Sequence, residues 1–201
     1  MSQSKPSLLH RTKEFFFPPP VATRAELQAF AGGEASYLAQ KTVIGYCRVK
    51  TLADYEKLLT EPAFRDGIEI CRWEAYAGTL GDTLILIEGL LRPADESARR
   101  RLADSVAALY PGLLSEAKAE HRSDWSDWHD AFARRFALTS QAEPVQPHLV
   151  IADTAKLIYD LAPIHPRLKG EDREVVLGGL RLHAVAMDAP MLERFRREGL
   201  V

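Results

Sequence analysis

Two histidines, three aspartates and two tryptophans crowd into Glu120–Asp130, EHRSDWSDWHD, the densest run of potential ligands and proton carriers in the chain. At ~100° per residue, a helix through it would set Leu114, His121, Trp125, Trp128, Phe132 and Phe136 on one stripe, with Asp127 and Asp130 turned away. His121 and His129 would share a side but stand about 12 Å apart along the axis, too far for one metal ion to take both. The spacing predicts a buried aromatic face with histidines at its margins.

A metal centre is the alternative chemistry. His129-Asp130 resembles the HD pair of the all-helical HD-type metal phosphohydrolases, a likeness of two residues that carries no family assignment. It implies metal candidates His129, Asp130 and His121, with Asp153 or Asp160 as further ligands. A di-metal carboxylate bundle needs Glu-x-x-His pairs, and none of the six histidines has Glu three residues before it. A haem needs one histidine in an apolar helical pocket, and His183 is the cofactor-binding candidate.

Glu88 is the candidate acid or base. It stands inside the most apolar run of the chain, with Leu84, Ile85, Leu86 and Ile87 before it and Leu90 and Leu91 after. A carboxylate there must be paired, neutralised or functional. Arg92 lies at i+4 in the favourable order, so a Glu88–Arg92 pair is expected. Motifs for an activated serine, a phosphate-binding loop or a dinucleotide-binding turn are absent. No metal or haem is expected outside the histidine alternatives above.

Composition narrows the classes. With 201 residues, 46% of them hydrophobic and 27% charged, the chain can bury a full core without staples. Its 26 basic and 28 acidic residues give a net charge of −2 with the signs interspersed, which argues against a nucleic-acid binder. Cys47 and Cys71 are isolated and read as reduced, buried thiols. No apolar run approaches the ~20 residues of a membrane span, and no signal-peptide core opens the chain, so a cytoplasmic location is expected.

The elements follow from capping and periodicity. Residues 1–22 read as an extended arm in which Phe15, Phe16 and Phe17 precede Pro18, Pro19 and Pro20. That segment suits docking on a partner protein, on a second copy or at a membrane surface. Residues 23–201 read as one helical domain. The first helix opens on the capping box Thr23–Glu26, and Gly32-Gly33 is expected to bend or divide it. Pro62 opens a central segment to Arg92, of which Asp82–Leu91 fits a buried helix or a buried strand. A helix from Pro93 is expected to end at Tyr110-Pro111-Gly112, with Asp95–Arg99 and Glu96–Arg100 paired along it. A long helix over 113–136 is expected next, then a linker over 139–148, a helix over 149–161, and a last helix over 171–187 broken at Pro190.

The expected fold is all-α, a single globular bundle of about six to eight helices with an N-terminal arm. The expected function is a non-catalytic soluble protein that binds a partner protein or an apolar ligand, as an adaptor, accessory or assembly factor. The alternative is a metal- or haem-dependent helical enzyme using histidines of the C-terminal half.

Overall fold

A computed structural model describes residues 19–117, 119–170, 173–196 and Leu200. Within them the chain is an all-α bundle. Helix α1 spans Arg24–Thr51, a 3-10 turn Leu52–Asp54, α2 Tyr55–Leu58 and α3 Pro62–Leu91. Then come α4 (Glu96–Ala107), α5 (Leu109–Ser115), α6 (Ser126–Gln141), α7 (Pro147–Val150), α8 (Ala152–Leu161), α9 (Pro166–Lys169) and α10 (Arg173–Arg194).

The capping box forms as expected: the Glu26 amide donates to the Thr23 hydroxyl at 3.2 Å, and the Glu26 carboxylate accepts the Thr23 amide at 2.9 Å. Gly32-Gly33 does not divide α1, which is continuous. Gly32 serves close packing instead, since a Cβ there would stand 2.9 Å from Leu113 Cδ2.

Helix α3 is the axis of the bundle. It packs most extensively on α1, then on α8 and α6. Every residue from Ala77 to Glu88 is buried, which is why this stretch reads apolar on all sides. Asp82–Leu91 is helix, so the choice between helix and strand is settled.

Several boundaries differ from expectation. Helix α4 stops at Ala107, and Pro111 and Gly112 lie inside α5. Asp95 caps α4 by accepting from the Ala98 amide at 2.8 Å, while Glu96–Arg100 pair as expected. The long helix over 113–136 is two helices separated at 116–125. The Asp124 carboxylate accepts from both the amide and the hydroxyl of Ser126, a local bond that starts a new helix at Ser126. Helix α6 runs on to Gln141, which cuts the connection to 142–146. The helix over 149–161 divides into α7 and α8 around Ile151.

Helix α10 continues through Pro190 to Arg194 rather than ending before it. Tertiary contacts hold that end. The Val21 amide donates to Arg194 O at 2.9 Å, and the Arg196 amide to Val21 O at 2.8 Å. Phe195 meets the Phe30 ring edge-on at 5.2 Å. Phe15, Phe16, Phe17 and Pro18 lie outside the described residues; Pro19 and Pro20 are exposed. No helix among the described residues is long and apolar enough to cross a membrane.

Candidate functional site

Three carboxylates are buried along α3, and each is closed by partners from elsewhere. Glu88, 1% exposed, is gripped by Arg92, whose Nε and Nη2 donate at 3.0 and 2.6 Å. The same guanidinium donates to the carbonyls of Thr139 and Ala142, so the pair anchors the end of α6. This is the expected Glu88–Arg92 pair, and it leaves neither carboxylate oxygen without a donor.

Asp82 and Glu74 were not singled out from the sequence. Asp82, 2% exposed, accepts from Arg135 Nη1 and from Thr154 Oγ1, each at 2.5 Å. Burial pushes its pKa up to about 6, against the opposing pull of Arg135 and Thr154. Glu74 collects Arg122 Nε at 2.8 Å, Trp128 Nε1 at 2.8 Å and His121 Nε2 at 2.9 Å. One signal was available for Asp82: it stands two residues before the apolar run that holds Glu88. Its partners lie 53 and 72 residues away, beyond any periodicity.

The sequence candidates for metal binding are scattered. His121 is in the 116–125 connection, committed to Glu74. His129 stands edge-on to Tyr110 at 5.9 Å, and its Nε2 has no hydrogen-bond partner. Asp130 is exposed, Asp160 pairs with Lys156 at 2.5 Å, and Asp153 lies on another helix. Among the described residues no group of three or more His, Cys, Asp or Glu is placed to hold a metal ion. Cys47 and Cys71 are buried, which pushes their thiols up to about 11 and about 12 and keeps them protonated.

An open groove of about 330 Å³ lies between α1 and α10. The two helices run antiparallel, with Tyr37 edge-on to His183 at 6.4 Å. Lys41, Gly45 and Val49 form one side; Val175, Gly179 and His183 form the other. A Cβ at Gly45 or Gly179 would meet nothing within 4 Å, so the floor is open at both glycines. Tyr46 also lines the groove; it is 7% exposed, and its hydroxyl has no hydrogen-bond partner. Burial pushes the phenol up to about 12, so the hydroxyl is a neutral donor.

His183, the haem candidate, is half-buried at the rim. Burial first, and the Lys41 ammonium second, lower its pKa. The two helices leave large apolar side chains in solvent, Tyr37 53%, Val49 65%, Val175 65%, Leu182 70% and Val185 53% exposed, of which Val49 and Val175 line the groove. Leu52, at the end of α1, is 76% exposed. Five of the eleven exposed large apolar residues among the described ones thus belong to this helix pair. The groove thus combines apolar walls, a glycine floor, a lysine at the edge and an unsatisfied hydroxyl. No family model, curated protein or solved structure matches this chain.

Proposed function

We propose that this chain is a non-catalytic helical binding protein whose α1–α10 groove receives an amphipathic helix of a partner protein. The observation that carries this reading is the exposure of Val49 on one wall and Val175 on the other of a groove floored by Gly45 and Gly179. Apolar side chains exposed on facing walls of a groove suit a docking surface better than singly scattered ones do. Open glycines let a third helix approach closely, with apolar anchors at i, i+3 or i+4, and i+7. Lys41 borders the groove, so the partner helix carries acidic residues at its flank.

Pro19 and Val21 meet the end of α10, where Arg194 Nε donates to Pro19 O at 3.2 Å and Val21 pairs with Phe195. Residues 1–20 are proposed as a second contact to that partner or to another copy of the chain. Buried, protonated Cys47 and Cys71 fit a reducing compartment such as the cytoplasm.

Two synthetic helical peptides with one apolar stripe, flanked either by Glu or by Lys, test the groove by fluorescence anisotropy. The acidic peptide is expected to bind about tenfold more tightly, a difference of about 1.4 kcal/mol. Gly179→Leu, at an exposed position, is expected to abolish its binding. Equal affinity for both peptides, or binding untouched by Gly179→Leu, defeats the proposal. Deletion of residues 1–20 with no change in affinity or self-association removes the arm from it.

A further inference from the structure

A second, separate cavity lies on the opposite side of α3. It occupies about 260 Å³ where α6 and α8 diverge over Ala77, Gly78 and Gly81. Its walls are unusually well fixed. The Trp128 indole N–H is held by Glu74 at 2.8 Å. Arg135 is held by Asp82 and by the Val150 carbonyl, and Thr154 by Asp82. Tyr110 stacks on Phe132 at 4.1 Å and donates its hydroxyl to Ala77 O at 3.1 Å. Two of the three buried α3 carboxylates therefore act on this one cavity, each locking a wall residue through a charge-assisted bond. Side chains locked in this way lose little entropy when a ligand enters.

The glycines keep it open. A Cβ at Gly81 would stand 3.2 Å from Phe132 Cδ2, and one at Gly78 would stand 2.8 Å from Thr154 Oγ1. Larger residues at either position would drive the wall outward or fill the floor.

Polar groups at the cavity are nearly all satisfied by the protein. Asp153, exposed at the mouth, is the exception: it has no hydrogen-bond or ion-pair partner among the described residues. The guanidinium beside it is neutralised by Asp82, so the net charge offered to a ligand is negative. Trp128 presents an aromatic wall that also favours a cation. The volume exceeds the ~150 Å³ of an apolar cavity that admits benzene, so one ring with a short chain fits.

We infer that this cavity binds a small primary amine with an aromatic or branched apolar body. The body lies over Gly78 and Gly81 against Trp128, and the ammonium pairs with Asp153. The inference does not depend on the α1–α10 groove.

The test uses 2-phenylethylamine, 2-phenylethanol and 3-phenylpropanoate as probes on the full chain. The indole N–H resonance of Trp128, assigned through Trp128→Phe, is the readout. The amine is expected to shift it saturably at millimolar concentration, at least tenfold more tightly than the alcohol, with the carboxylate weaker still. Asp153→Asn, a surface change, is expected to erase the advantage of the amine over the alcohol. Leu157→Trp is expected to fill the cavity and remove all binding. An alcohol that binds as tightly as the amine, or Asp153→Asn without effect, overturns the cation class. No shift of Trp128 with any probe overturns the site.

Discussion

Glu74 Oε2 accepts the indole N–H of Trp128 at 2.8 Å, across 54 residues of sequence. Its other oxygen takes His121 and Arg122. One buried carboxylate therefore fixes both the 116–125 connection and the first turn of α6. The Arg122 guanidinium extends the network outward to Asp127 at 2.6 Å and packs over the Trp125 ring at 4.9 Å.

Glu74→Ala is expected to destabilise the protein by about 1–3 kcal/mol, because it leaves the indole N–H and Arg122 Nε without their acceptor while Asp127 still holds the guanidinium. Urea unfolding measures the loss. Hydrogen exchange should rise first over 119–128 while the α1–α3 amides stay protected. Uniform deprotection would instead mean that Glu74 supports the whole core.

Asp82 gives the fold a distinctive pH response. Its pKa is about 6 in the folded chain against 3.8 for the unperturbed group. Between those values the folded state holds a proton that the unfolded state lacks, so this group's contribution to stability falls as pH rises through the window. Above it the ionised form costs about 3 kcal/mol, at ~1.4 kcal/mol per pKa unit. Wild type should therefore gain stability relative to Asp82→Asn as pH drops from about 7 to about 5. Parallel denaturation curves at the two pH values check this; a difference that is constant or of opposite sign contradicts it.

Gly78→Val is expected to cost about 1–3 kcal/mol, since its first carbon already meets Thr154 Oγ1 at 2.8 Å. Relief by Thr154→Ser, which removes Cγ2 at 2.9 Å, would show that the clash lies between α3 and α8. Equal destabilisation in both backgrounds would place the strain elsewhere.

The fold class was legible because its signals are local. Thr23 and Glu26 cap within one turn, Pro62 opens α3 where its missing N–H does no harm, and Glu88 and Arg92 pair one turn apart. The break at 116–125 was not legible from periodicity. A continuous stripe from Leu114 to Phe136 is present in the residues, but the Asp124–Ser126 bonds and the pull of Glu74 on His121 and Arg122 override it. Asp82 and Glu74 escaped notice because their partners come from distant helices. Tyr46 gave no sign at all, since an unpartnered hydroxyl is a property of packing and not of spacing.

The α1–α10 groove is proposed as a docking site for an acid-flanked helix. Its most direct test is anisotropy of the acidic peptide against wild type and Lys41→Glu, at low and high salt. The account predicts saturable binding that weakens about tenfold in Lys41→Glu and falls as salt screens the charges. Binding that is unchanged by Lys41→Glu, or that is equal for the basic peptide, would contradict it.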